Sequence, residues 1–299
     1  MTDRVLDLSD RPASLSVQNS LLRIRFGQED PLTVPLSDLA VVIVSHPQVS
    51  YTHAVLSGLA LAGALFVTCD EKHLPVSMLL PLVTHSLQSE RFSAQARLSL
   101  PVRKRLWQQI ARAKILAQAR PLQERTGAAL GLDALAAKVR SGDPTNIEAR
   151  AARAYWHALF GDIEFYRDRE ADGINACLNY GYAVLRAITA RAICGAGLHP
   201  SLSLHHHNRY DAFCLADDLM EPYRPLVDRA VARLRDERGP EVPLDRDSKK
   251  RILEALLDRF QAQGESRTLF DWLGRLASSL ASAIQAAETA RAKLDLPEL

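Results

Sequence analysis

The pattern of apolar and polar positions changes period once along the chain. From Arg4 to about Leu80, short apolar runs (RVLDLS, SLSVQ, LLRIRF, LTVPL and LAVVIV) are separated by Asp, Pro, Gly, Asn and Ser, the punctuation of short strands. Asn19 and Ser20 fall between two alternating runs and predict a hairpin, while AVLSGLALAGALFVTC reads as a small helix followed by a buried strand. After Leu80 the apolar spacing becomes helical and holds to Leu294, with helices expected near 101–120, 145–160, 173–194, 211–236, 246–262 and 268–292. The expected class is α+β: a β-rich domain over 1–80, a linker over 81–100, and a larger all-α domain over 101–299.

Composition adds limits rather than an identity. With 299 residues, 47% of them hydrophobic, the chain is long enough for two globular cores. The 37 basic and 35 acidic residues nearly cancel, so any nucleic-acid signal must lie in how charge is distributed. Cys69, Cys177, Cys194 and Cys214 are widely spaced and form no CxxC pair, which argues against a disulfide framework and a zinc ribbon. The charged N-terminal stretch is unlike a signal peptide, and the apolar run Ala54 to Val67 is too short and too glycine-interrupted to span a membrane. A cytoplasmic protein is expected.

The sharpest charge shift lies between Glu90 and Arg125, where nine basic residues face two acidic ones. With Leu106, Ile110, Ala113 and Ala117 as the apolar stripe of this helix, Arg105 and Arg112 fall on another face. Such a face could track phosphates, and by composition Arg103, Lys104, Arg105, Arg112 and Lys114 are the candidates for such contacts with a DNA backbone. A solvated arginine-rich face is the competing reading.

Candidate chemistry is densest in GLHPSLSLHHHNRYDAFCLADDLMEPYRP, Gly197 to Pro225. Asp211, Cys214, Asp218 and Glu221 share one side of the expected helix. Asp218 and Glu221 are i,i+3 neighbours whose like charges ask for a cation, although an exposed acidic face at a helix start is the alternative. Pro222 bends or stops the helix just after Glu221. The consecutive His205, His206 and His207 cannot all point to one place, so at most one joins such a site. One imidazole with carboxylates suits Mg²⁺ or Mn²⁺ better than structural zinc. Glu148 opens the alanine-rich helix TNIEARAARAYWHALFG on its core-facing side, as a third contributor or as a carboxylate complementing the helix dipole after Asp143, Pro144 and Thr145.

Taken together, IEARAARAYW and GLHPSLSLHHHNRYDAFCLADDLMEPYRP resemble the catalytic subunit of the CRISPR adaptation complex, the family called Cas one. The resemblance is greatest to the versions that accompany a single large RNA-guided effector nuclease. It implies a small β domain before an α-helical one, and catalytic metal-binding positions at Glu148, His206 and Glu221, with Asp218 as a further metal ligand. It also implies a Mg²⁺ or Mn²⁺ cofactor and double-stranded DNA as substrate. Insertion of short duplexes into a CRISPR array would proceed by 3′-hydroxyl attack at the repeat boundary. Its further implications are a homodimer joined through the β domain, two such dimers bridged by a small partner subunit, and the effector nuclease as a further partner. Ser203 departs from the family pattern, which has glycine at that point of the loop. A metal-dependent repair nuclease and a non-enzymatic DNA-binding scaffold are the alternatives.

Overall fold

The computed structural model describes residues 4–71, 75–81, 84–161, 165–168, 171–286 and 293–297. The chain divides into two units, Met1–Gln88 and Ser89–Leu299. In the first, the element order is β1 (Arg4–Leu8), β2 (Ser14–Gln18), β3 (Leu21–Arg25), β4 (Leu32–Pro35), β5 (Leu39–Val44), β6 (Ser50–Tyr51), α1 (His53–Leu61), β7 (Leu65–Cys69) and β8 (Pro75–Leu79). Asn19 and Ser20 turn between β2 and β3 with φ of 50° and 61°, the left-handed pair that a type I′ hairpin needs. One sheet runs β4-β3-β2-β6. The other runs β1-β5-β7-β8, with β1, β5 and β7 parallel and β8 antiparallel to β7.

Strand β5 is buried at all six positions, which explains why LAVVIV is a continuous apolar run instead of an alternating one. Parallel neighbours cannot be joined by a tight turn, and α1 lies in the crossover between β5 and β7. The core draws Leu15, Leu22 and Ile24 from one sheet, Val42, Val44 and Phe66 from the other, and Val55 and Leu59 from α1.

The second unit contains α2 (Gln88–Ala96), α3 (Leu100–Thr126), α4 (Leu132–Lys138), α5 (Ile147–Phe160), α6 (Ile174–Gly195), α7 (Cys214–Met220), α8 (Arg224–Arg238), α9 (Arg246–Leu257), β9 (Arg259–Ala262), β10 (Glu265–Thr268) and α10 (Leu269–Gln285). This fold corrects several boundaries. The expected linker over 81–100 carries α2. The single helix expected over 211–236 is broken by a 3₁₀ turn at Glu221–Tyr223, where Pro222 has no N–H to continue the ladder. The helix expected to reach 262 stops at Leu257, and β9 pairs with β10 around Gln263 and Gly264, at φ of 53° and 77°. A four-residue strand with Phe260 and Ala262 buried offers too short a window to separate period two from 3.6. Of the last expected helix, 287–292 lie outside the described residues.

Helix α3 is buried on several sides, at Leu106, Trp107, Ile110, Ala111, Ile115, Ala117 and Gln118, because α4, α5, α8 and the 3₁₀ turn all pack on it. The narrow stripe expected from the sequence is therefore too narrow, and part of the supposed basic face is interior. Helix α6, packed by α7, α8, α9 and α10, is the other centre of this unit. Among the described residues, no helix is long and apolar enough to cross a membrane.

Candidate active site

Glu148 is placed by the start of α5. Both oxygens of Asp143 cap that helix, Oδ1 accepting from Ile147 N–H at 3.0 Å and Oδ2 from Glu148 N–H at 2.9 Å. The carboxylate of Glu148 thus sits in the first turn, where the helix dipole favours negative charge. It accepts a hydrogen bond from Lys114 Nζ of α3.

The same ammonium lies 2.6 Å from Glu221 Oε2. Glu221 is only 4% exposed, in the 3₁₀ turn that Pro222 enforces, and its Oε1 accepts from Arg224 Nε at 2.9 Å. Burial pushes the Glu221 carboxyl up, but Arg224 and Lys114 outweigh it and hold the group down to about 2. Oε2 is buried against the Lys114 ammonium, so this oxygen already faces a cation.

Asp218 does something different from Glu221 despite their helical spacing. It is fully buried, and its Oδ2 accepts from Leu204 N–H at 2.6 Å and His205 N–H at 3.0 Å, while Oδ1 accepts from His206 N–H at 3.1 Å and His206 Nδ1 at 2.7 Å. Four donors fill the lone pairs of both oxygens. Asp218 thus clamps the histidine loop. Because a carboxylate only accepts, His206 Nδ1 carries a proton, so that in the neutral ring the lone pair is on Nε2. This carboxylate partner also raises the His206 pKa.

The three histidines point in three directions. His205 stacks on Trp107 of α3, with centroids 4.1 Å apart and planes 3° from parallel, and burial lowers its pKa. His206 meets the same indole edge-on at 5.5 Å. His207 lies between Arg103 Nη2, at 3.4 Å, and Ser203 Oγ, at 3.3 Å. Ser203 is not among the positive-φ residues, so the glycine of the family pattern is not required by this loop's backbone. The entry to the loop is fixed by Gln95 of α2, which accepts from His199 N–H and donates to the carbonyls of His199 and Leu202, all within 2.9 Å.

The other carboxylates of the segment are spent elsewhere. Asp217 takes a bidentate pair from Arg186, at 2.7 and 2.6 Å, and Asp211 caps Phe213 N–H at 2.8 Å. Asp228, on α8 about two turns beyond Glu221, accepts from Tyr182 and, at 3.0 Å, from Tyr155, itself two turns beyond Glu148 on α5. This buried cluster bolts α5, α6 and α8 together and so sets how far apart the two glutamates sit.

Of the residues singled out from the sequence, Glu148, Glu221 and Lys114 converge directly, with the clamped His206 beside them. No group of three His, Cys, Asp or Glu side chains among the described residues is drawn together tightly enough to hold a metal ion as it stands. Lys114 fills the gap between the glutamates. A candidate phosphate contact by composition, its side chain is here 13% exposed and engaged by both carboxylates. Lys104, Arg105 and Arg112 are exposed and Arg103 is half-buried. Sequence reasoning missed Gln95, Trp107 and Arg224. Only Arg224 left a signal, as the i+3 partner of Glu221.

Two carboxylates converging on one cation, with an imidazole nearby, are the donor types that a hard divalent ion takes. The sequence model of the family described as "CRISPR associated protein Cas1" matches residues 7–256. A relative named "CRISPR-associated endonuclease Cas1" from Neisseria meningitidis serogroup C (strain 8013) is 38% identical, covering 100% of this chain and 97% of its own. Among solved structures, a "Casposase bound to integration product" shares the fold with a TM-score of 0.79 at 21% identity, covering 99% of this chain and 94% of its own. A chain of a "Cas6-RT-Cas1--Cas2 complex" matches with a TM-score of 0.76 at 18% identity, over 96% of this chain and 35% of that longer one. The protein belongs to the CRISPR-associated Cas1 family.

Proposed function

We propose that this protein is a metal-dependent DNA endonuclease and integrase that inserts short duplexes into a CRISPR array by 3′-hydroxyl attack at the repeat boundary. The observation that carries this reading is the meeting of two buried or half-buried carboxylates, Glu148 and Glu221, at one cation beside a histidine whose tautomer Asp218 dictates. The names of its relatives, an endonuclease and a casposase holding an integration product, point the same way.

In this reading Glu148, His206 and Glu221 hold Mg²⁺ or Mn²⁺, which when bound polarises the scissile phosphate as a Lewis acid. Arg224 keeps Glu221 ionised and aimed, and Asp143 fixes the backbone that carries Glu148. By holding the Nδ1 proton, Asp218 would leave Nε2 of neutral His206 to ligate the ion or to take the proton of the attacking hydroxyl. Arg103, Lys104, Arg105 and Arg112 serve as contacts to phosphates of the duplex, which position it without reading bases. The working assembly is a homodimer with a small Cas2-type partner, the subunit named in the complex of the structural neighbour.

The test is product formation. Purified protein, the partner subunit, Mn²⁺, a supercoiled plasmid bearing the repeat and a labelled short duplex should yield label joined to the plasmid. Glu148→Ala should stay folded and bind duplex but join none. Undiminished joining by that variant refutes the site, and nicking without joining by the wild type turns the reading toward a repair nuclease.

A further inference from the structure

Among the described residues, Lys114 is the one cation in contact with both proposed metal-binding carboxylates, and its place has a consequence for how an ion enters. Its ammonium donates to Glu148 and stands 2.6 Å from Oε2 of Glu221, while Arg224 holds the opposite oxygen. The two glutamates are thus already matched by two cations. A divalent ion arriving here meets a neutralised cluster instead of bare carboxylates, and the oxygens that would ligate it are those facing Lys114. A flexible four-carbon stem lets the ammonium swing away, whereas Arg224 is held by the Tyr182 ring at 4.6 Å as well as by Glu221.

We propose that Lys114 is a positioning residue that competes with the divalent ion for the Glu148–Glu221 pair, so that the ion binds only as the ammonium is displaced. Lys114 keeps the two like-charged carboxylates together before metal entry and sets the metal concentration at which the site fills. The inference rests on the metal-site reading above.

The experiment measures Mn²⁺ affinity from the paramagnetic resonance signal of free ion, with full-length wild type, Lys114→Met, Lys114→Gln and Glu148→Gln at one pH and ionic strength. Thermal melts are recorded with and without Mn²⁺. Both Lys114 variants should bind Mn²⁺ at least ten-fold tighter, melt lower than wild type without the ion, and show a larger upward shift with it. If Lys114→Met does not fold, Lys114→Gln, which keeps hydrogen-bond donors without the charge, carries the comparison. Affinity equal to or weaker than wild type in a folded variant overturns the proposal, provided Glu148→Gln still abolishes binding. If wild type and the Lys114 variants show no binding that depends on Glu148, the metal-site reading falls and this proposal with it.

Discussion

Replacing Asp218 by Asn removes one charge and no volume, and the structure sets out what must follow. The carboxylate accepts from three backbone N–H groups and from His206 Nδ1, all at 3.1 Å or less. An amide has one oxygen and one NH₂. With the oxygen turned to Leu204 and His205, which share Oδ2 in the wild type, the NH₂ faces two donors. The His206 N–H is then buried without an acceptor, which costs about 1–3 kcal/mol. At about 2 kcal/mol, and with roughly 2–4 °C per kcal/mol for a unit of this size, the melting temperature should fall by about 4–8 °C. The ring of His206 has a second response: Nδ1 becomes the acceptor of the new amide and the proton moves to Nε2, removing the lone pair from the face toward the glutamates. Loss of such a carboxylate behind a ligating histidine lowers metal affinity by about 10–100-fold. Nitrogen-15 chemical shifts of the histidine ring report the tautomer directly, and Mn²⁺ titration reports the affinity. If Asp218→Asn keeps the proton on Nδ1 and binds Mn²⁺ as wild type does, while only its melting temperature falls, then Asp218 is a loop brace without influence on the site.

Two further outcomes follow from the interior of the second unit. Burial pushes the Asp228 carboxyl up to about 7, against the pull of its Tyr182 and Tyr155 donors. A carboxyl whose folded pKa is raised above the ordinary value of about 4 makes the native state hold the extra proton between those values. Stability therefore falls as pH rises through that window, by up to about 1.4 kcal/mol per pH unit, and Asp228→Asn should flatten that part of the stability profile in denaturant titrations; an unchanged slope counts against it. Gly181 lies where α6 meets α8 and α9, and an added Cβ would fall 2.3 Å from Val227 Cγ1 and 3.0 Å from Ile252 Cγ2. Gly181→Ala should lower stability by about 1–3 kcal/mol despite alanine's better helix propensity. Pairing it with Val227→Ala should recover part of that loss in a double-mutant cycle, and strict additivity of the two changes would contradict the clash.

Sequence alone determined the elements whose cause is local. Alternation and punctuation mark the strands of the first unit, the Asn19–Ser20 pair marks its hairpin, and apolar spacing marks most helices of the second. Pro222 marks the break that carries Glu221, and the motifs around Glu148 and His206 carry the family resemblance. The β9–β10 hairpin escaped because four residues cannot display a period, and α2 because its polar face looks like a linker. Charge was legible only as a count. From spacing, Asp218 and Glu221 are equivalent carboxylates and Lys114 is one of a basic run. Only the tertiary structure separated Asp218, filled by the loop's N–H groups, from Glu221, held by the Lys114 and Arg224 cations, and drew Lys114 inward between two glutamates. The physical reason is that helical spacing fixes which residues share a face, whereas the partner of a buried charge is supplied by other segments of the chain. Here α3, the start of α5 and the Pro222 turn meet only when the helices pack.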